Sequence, residues 1–226
     1  MIKGIFFDAA GVLYYRSKHT VDFALKLLQE MGYSQEVSSR DIESLEALRL
    51  QVNQGLASHD AYWDLFLSLR GVTDAPQRRQ YIGRIVDFSN DVQPVPGVRE
   101  ALAELKSRGY ALGVVTDTMY PLEWKKRRLE KVGVAEFIDV IACSTVLGVH
   151  KPDPAMYLNA IQQLHLSVPE SAFVGHLAVE LQGARLAGMA TVAVNYDPDA
   201  QADYFCESLL DLLSLPIFQS VVIHDR

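Results

Sequence analysis

Acidic, basic and hydroxyl side chains stand where hydrophobic runs of this chain end. Asp8 closes an apolar run at residues 5–7, and Thr116 closes another. Lys151 precedes a Pro-Asp-Pro sequence, and Glu180 follows a further apolar run. A carboxylate, a hydroxyl and an ammonium group that meet at one point can form and break a bond to an anionic substrate. The pattern therefore predicts nucleophilic catalysis, with Asp8 as the candidate nucleophile.

These residues need a scaffold that brings separate strand ends together. Short apolar runs at residues 5–7, 110–116, 140–143, 172–175 and 191–195 alternate with segments of helical periodicity. This alternation is typical of parallel strands joined by helices. We therefore expect an α/β fold with a Rossmann-like parallel sheet and helices on both faces. In such a sheet the ligand site lies beyond the carboxyl ends of the strands.

A long helical block interrupts this alternation. Between residues 20 and 90 the apolar residues recur at helical spacing, with Phe23, Leu27 and Leu28 on one predicted face. We expect roughly four helices here, which would form an inserted all-helical domain. The predicted division is a Rossmann-like core at residues 1–14 and 92–226, with the helical insert at residues 15–91. Residues 207–226 are expected to hold one helix and a loosely attached end.

The order of these residues resembles the four motifs of the haloacid dehalogenase superfamily, and the resemblance covers nearly the whole chain. Residues 7–13, Phe-Asp-Ala-Ala-Gly-Val-Leu, resemble the first motif, and Thr116 resembles the Ser or Thr of the second. Residues 150–154, His-Lys-Pro-Asp-Pro, resemble the third, and residues 173–180 resemble the fourth. The inserted helices resemble the helical cap of that family, which closes over the site and selects the substrate.

The resemblance implies a hydrolase of a small anionic organic molecule. Asp8 would attack phosphorus or carbon and carry a covalent intermediate, while Thr116 would hold the transferring group. Lys151 would orient Asp8 and keep its carboxylate ionised by attraction between opposite charges. The expected substrate-binding residues are Ala9, Ala10, Gly11, Asp117, Tyr157 and His176. The expected metal ligands, where a metal is used, are Asp8, Ala10 and Glu180.

The sequence departs from the superfamily's phosphatases at two positions. Ala10 stands where they place an Asp that protonates the leaving group, and His176 stands where they place an Asp that binds Mg²⁺. Dehalogenases need neither residue, since halide leaves without a proton, and Asp8-Ala9-Ala10-Gly11 and Tyr157 are similar to their sequences. Their Ser and Asn near His176 are missing, however. Mg²⁺ is thus the candidate cofactor for phosphatase chemistry, and none is expected for dehalogenase chemistry.

Three alternatives stay open at this point. Phosphonoacetaldehyde hydrolases also carry Ala at the position of Ala10, but neither Lys18 nor Lys26 is an obvious match for their cap lysine. The chain could instead be a binding protein of the same fold that has lost catalysis, because Ala10 and His176 replace the usual acid and metal ligand. A third alternative is a hydrolase whose general acid is His176 or a residue of the cap.

Composition limits the partners. The formal net charge is −7, which argues against nucleic acid, because phosphate backbones are bound by clustered cations. The run Lys125–Arg128 would spread around a helix, and we expect it to be solvated.

There are two cysteines and no apolar stretch long enough to cross a membrane, so we expect a cytoplasmic protein. Its partner would be a small-molecule substrate, and the chain would act as a monomer or a homodimer. Candidate substrate-facing residues of the insert are Arg16, Arg49, Asn53, His59 and Trp63.

Overall fold

Six parallel strands form the central sheet of the computed structural model, which describes residues 1–219. The strands are β1 (Gly4–Phe7), β4 (Ala111–Thr116), β5 (Val140–Cys143), β6 (Ser171–Gly175), β7 (Ala190–Val194) and β8 (Tyr204–Cys206). Their order across the sheet is β5-β4-β1-β6-β7-β8. Phe7 pairs with Val114 on one side and with Val174 on the other. The expected parallel sheet is confirmed, and β8 extends it by one strand that was not predicted.

Helices cover both faces of this sheet. The core helices are α5 (Val98–Ser107), α6 (Leu122–Lys131), α7 (Ser144–Leu147), α8 (Pro154–Gln163) and α9 (Ala178–Leu186). Ile5 and Phe7 point into one apolar cluster with α5 and α6, while Phe6 points into a second cluster with α8 and α9. Successive residues of a strand face opposite sides of a sheet, so every residue of β1 is buried. The predicted α/β class with helices on both faces is confirmed.

Four helices form the insert between β1 and β4. They are α1 (Thr20–Glu30), α2 (Ser39–Asn53), α3 (His59–Ser68) and α4 (Ala75–Ser89). Their apolar faces meet in a cluster of their own, which contains Leu27, Leu28 and Phe66. The chain enters and leaves the insert through a short antiparallel pair, β2 (Tyr14–Tyr15) with β3 (Gln93–Pro94). The two connections therefore lie side by side.

The end of the described chain differs from the predicted single helix. Two short 3-10 helices, Leu209–Ser214 and Pro216–Phe218, pack against the core, and Phe218 is fully buried. Arg108 donates to the carbonyl of Leu213, which fixes this segment to α5. The loosely attached end expected beyond it lies outside the described residues.

None of the helices found within residues 1–219 combines the length and the apolar character needed to cross a lipid bilayer.

Candidate active site

Asp8 lies directly beyond the last residue of β1. Its backbone N–H donates to the carbonyl of Val174 at 2.9 Å, which continues the sheet pairing by one residue. The carboxylate is 6% exposed. A buried carboxylate is stable as an ion only when a cation or several donors lie beside it. The surroundings of Asp8 therefore decide what it can do.

Lys151 supplies that cation. Its ammonium group donates to Asp8 Oδ1 and also lies 2.7 Å from Glu180 Oε1. Burial by itself lowers the pKa of Lys151, but the carboxylates of Asp8 and Glu180 outweigh it and raise that pKa above its usual value. The lysine is therefore a permanent cation that binds two carboxylates. Asp153 and Pro154 begin α8 just after it, since the Asp153 side chain accepts from the N–H of Ala155.

Glu180 reaches the same point from the first turn of α9. Burial, followed by the charge of Asp8, raises the pKa of Glu180 to about 7. Its second oxygen, Oε2, is buried and has no hydrogen-bond partner among the described residues. The Tyr157 hydroxyl donates to the Glu180 carbonyl at 2.8 Å, so this tyrosine fixes the start of α9.

His176 lies on the other side of Asp8. Its Nδ1 is 3.6 Å from Asp8 Oδ2, which is too long for a direct hydrogen bond. Within the described chain this nitrogen has no partner. Burial is the main cause that lowers the pKa of His176 below 6.5. Neutral imidazole is therefore its main form at neutral pH, and in that form it can accept a proton.

Gly11 makes room for this imidazole. Its φ of +89° is a left-handed conformation that favours glycine, and a Cβ there would lie 2.8 Å from His176 Nε2. Gly11 stays a predicted substrate contact, but its backbone N–H is not free for an anion, because it donates to the Tyr14 carbonyl at 2.8 Å. Ala9 and Ala10, in the same loop, remain predicted substrate contacts.

Thr116 is the last residue of β4, the neighbour of β1, and Asp117 follows it. Asp117 Oδ1 accepts from the backbone N–H of Lys151 at 3.1 Å, so this carboxylate fixes the loop that carries the lysine. The Thr116 hydroxyl is buried and donates to the Asp117 carbonyl at 3.3 Å. Its predicted role in holding the transferring group stays a prediction. The structure thus unites Asp8, Lys151, Glu180 and His176, with Asp117 behind the lysine.

Tyr157 does not face the site, so its prediction as a substrate-binding residue is wrong. Its side chain is fully buried and packs edge-on against Phe173 at 5.2 Å between ring centres. Since its hydroxyl is already used by the Glu180 carbonyl, the residue faces the core. Helical spacing alone cannot tell a core face from a site face, and that ambiguity explains the error.

A cavity of about 300 Å³ opens beside His176. Its wall is formed by residues 10 and 11 and by the segment that leads into the insert, residues 14–19. Arg16, Lys18, His19 and His176 all line it, whereas no carboxylate of the described chain does. The two cations Arg16 and Lys18, with no carboxylate beside them, favour an anionic ligand in this cavity. Of the predicted substrate-facing residues of the insert, Arg16 is the one that lines this cavity.

The predicted magnesium ligands do not form a magnesium site. Ala10 offers no side-chain ligand atom, while Asp8, His176 and Glu180 bring one ligand atom each within 4.8 Å of one another. Mg²⁺ requires oxygen ligands in near-octahedral geometry, and this set has a nitrogen in the place of a carboxylate. In addition, Lys151 already binds one oxygen of each acid. The donor set therefore does not fit Mg²⁺.

Two residues of the site region were missed. Lys125 and Arg128 belong to the run that we expected to be solvated, yet both are 3% exposed. Their neighbours Lys126 and Arg127 are exposed. The spacing of three residues places Lys125 and Arg128 on the same face of α6, which could have suggested a buried pair. Only the packing of α6 beneath the insert identifies that face.

Comparison with known proteins identifies the family. Residues 5–194 match the haloacid dehalogenase-like hydrolase family. Glyceraldehyde 3-phosphate phosphatase of Pyrococcus abyssi is 31% identical over 87% of this chain and 82% of that protein. The same enzyme of Methanopyrus kandleri is 28% identical over 86% of this chain and 84% of that protein. A 2-haloacid dehalogenase from Pseudomonas syringae has the same fold, with a TM-score of 0.67 and 22% identity over 95% of this chain and 97% of that one. With its fold and its ordered strand-end residues, this chain belongs to the haloacid dehalogenase-like hydrolase family.

Proposed function

We propose that the chain hydrolyses a small anionic organic substrate through a covalent ester at Asp8. The observation that carries this proposal is the buried contact of the Lys151 ammonium with both Asp8 and Glu180. A lysine in this position keeps Asp8 ionised and fixes one of its oxygens. The other oxygen, Oδ2, faces His176 and is the atom that we expect to attack.

The site supports displacement at carbon best. Asp8 Oδ2 forms a bond to the carbon, and the leaving group departs as an anion with the bonding electrons. Neutral His176 then takes a proton from water, and the hydroxide attacks the carbonyl carbon of the Asp8 ester. The alcohol oxygen leaves and takes the proton from His176, so the product is an alcohol. The Asp8 carboxyl group then releases the proton that came with the hydroxide to solvent, which regenerates the carboxylate. No residue needs to protonate the first leaving group, which agrees with Ala10.

Phosphomonoester hydrolysis is the second candidate. It is favoured by the two phosphatases that are 28% and 31% identical to this chain. An alkoxide leaving group requires a proton, and Ala10 cannot give one. Burial lowers the pKa of His176, so the imidazole is mostly unprotonated at neutral pH and is a poor general acid. Ala10 and His176 therefore support the phosphatase reaction less well than displacement at carbon, in which the leaving anion needs no proton.

The test is a substrate panel assayed for halide and phosphate release, followed by one turnover in ¹⁸O-labelled water. Displacement at carbon places the label in the Asp8 carboxylate, because water attacks the ester carbonyl. Reaction at phosphorus places it in the released phosphate. Since the donor set does not fit Mg²⁺, we expect turnover to survive EDTA within about twofold. Complete loss with EDTA and recovery with Mg²⁺ would contradict the displacement at carbon proposed here.

A pH profile tests the role of His176. The base form must be neutral, so the rate of ester hydrolysis should rise with pH and level off. Because burial lowers the pKa of His176, the midpoint should lie below 6.5. His176→Asn should lose this rise and about 10²-fold in rate, a usual contribution of a general base. A rate that instead falls as pH rises through this midpoint would identify His176 as an acid.

We further propose that the insert, residues 15–91, acts as a cap that closes the site. Support comes from α3, whose Trp63 indole donates to the Tyr120 hydroxyl at 3.4 Å. His59 packs against the ring of Trp124 at 4.8 Å between ring centres. Both contacts fall on the segment that follows Thr116, so the insert covers one of the loops that carry site residues.

A further inference from the structure

Three cations lie buried or half-buried between the insert and the core. Lys125 and Arg128 come from α6, and Arg16 comes from the segment that enters the insert. Lys125 and Arg128 are each 3% exposed, and Arg16 is half-buried. In residues 1–219, no carboxylate oxygen lies within 4.0 Å of their charged nitrogen atoms. Their hydrogen bonds go instead to neutral groups.

Three of these four hydrogen bonds go to the end of α4. Arg16 donates to the Ser89 carbonyl at 3.2 Å, and Arg128 donates to Ser89 Oγ at 3.2 Å and to Asn90 Oδ1 at 3.1 Å. Lys125 donates to the Tyr14 hydroxyl at 2.8 Å. The end of a helix offers about half a negative charge, which is far less than three cations require. Burial and the nearby Arg128 lower the pKa of Arg16, so the charges repel one another.

The ring faces of Tyr14 and Tyr120 offset part of the charge of Lys125 and Arg128. Cations that lack an anionic partner are still costly to bury, and a bound anion would lower that cost.

The cluster is also close to the reaction centre. The Tyr14 N–H donates to the carbonyl of Ala9, the residue after Asp8. Tyr14 and Arg16 line the same cavity as His176, which lies 3.6 Å from Asp8. A small molecule in this cavity can therefore contact Arg16 at one end and His176 at the other.

We propose that Arg16, Lys125 and Arg128 form a subsite for a doubly charged oxyanion group of the substrate, a phosphate or a pair of carboxylates. This group does not react, and it holds the substrate while the reacting atom lies at Asp8. The proposal rests on the proposed function for its link to catalysis. The substrates would be small molecules that carry an anionic group distant from the bond that is broken.

The test is calorimetric titration of the full chain with inorganic phosphate, malonate and acetate. Phosphate or malonate should bind about tenfold more tightly than acetate. Whichever of the two binds more tightly identifies the anionic group of the substrate. Lys125→Gln and Arg128→Gln should each weaken that dianion by about tenfold or more. The matched controls Lys126→Gln and Arg127→Gln remove exposed cations of the same helix, and their effect should stay below about twofold.

Asp8→Asn separates this inference from the proposed function. If the dianion occupies the cluster, its affinity should change by less than about threefold in Asp8→Asn, whether or not the wild type turns over a substrate. Binding that depends on Asp8 but not on Lys125 or Arg128 would overturn the subsite. The subsite is also refuted if no dianion binds, or if the two buried-cation variants lose thermal stability yet keep the wild-type affinity. Arg128→Lys keeps the charge and should retain part of the affinity if Arg128→Gln fails to fold.

Discussion

Asp8→Asn is expected to lower turnover by at least about a thousandfold, as the loss of a nucleophile does in enzymes that form covalent intermediates. The amide has almost the same shape as the carboxylate but cannot form the ester. The folded state should be as stable as the wild type or more so. The reason is that Asp8 and Glu180 are two buried acids that share one lysine, and the substitution removes their mutual repulsion.

Turnover and unfolding must be measured on the same preparations. The control is Asp91→Asn, which changes an exposed carboxylate bound to Lys131 at 3.0 Å and should alter neither quantity. A merely structural Asp8 would give the opposite pattern, with a marked loss of stability and a proportionate loss of activity. Asp8→Asn protein that keeps more than about a tenth of the wild-type rate would refute covalent catalysis at Asp8.

The sequence is most informative about the centre of the site. Asp8 and Lys151 were predicted because each follows or precedes an element at the edge where parallel strands end. Parallel pairing places β1 beside β4 and β4 beside β5, so Asp8 and the segment that leads from β5 to Lys151 lie at the same edge of the sheet. Motif order added Glu180, whose contact with Lys151 depends on the first turn of α9. The order of the strands therefore determines which residues meet at the centre of the site. Few details of packing were needed to predict them.

Residues whose role depends on packing were harder to predict. Tyr157 and Lys125 both lie on helices, where sequence spacing gives a face but does not say what that face meets. Tyr157 turned out to face the core, and Lys125 is buried with its ammonium group on the Tyr14 hydroxyl, at the entry to the insert. The N–H of Gly11 is used within its own loop, because the left-handed turn at this glycine brings the Tyr14 carbonyl within reach. Such contacts between elements leave no periodic signal in a single sequence.

Lys151→Met is expected to lower the free energy of unfolding by about 3–5 kcal/mol at about pH 8, the usual cost of removing one partner of a buried ion pair. The substitution leaves Asp8 and Glu180 buried without their shared cation, while the thioether fills most of the space. Turnover should fall as well, because no cation would fix the Asp8 carboxylate or attract an anionic substrate. Urea denaturation followed by circular dichroism measures the first effect.

The loss should be smaller at about pH 5, and the sign follows from proton linkage. The pKa of Lys151 is raised, so its charge is present throughout this range and its own titration adds nothing to the change. Glu180 differs, because burial and Asp8 already raise its pKa to about 7. Without the lysine that pKa rises further. In both proteins the folded state holds a proton that the unfolded chain has released, so stability falls as pH rises from 4.5 to the folded pKa of Glu180. In the variant this fall continues above about pH 7, where that of the wild type ends, so the loss is larger at about pH 8 than at about pH 5.

Two further variants make this prediction specific to the buried triad. Lys151→Met combined with Glu180→Gln should recover more than half of the lost stability, because only one carboxylate then lacks a cation. Lys126→Met, which breaks an exposed pair with Glu123, should cost about 1 kcal/mol or less at either pH. If Lys151→Met costs no more than this control, or costs as much at low pH as at high pH, the lysine does not hold the two acids together. The arrangement on which the hydrolase mechanism depends would then be wrong.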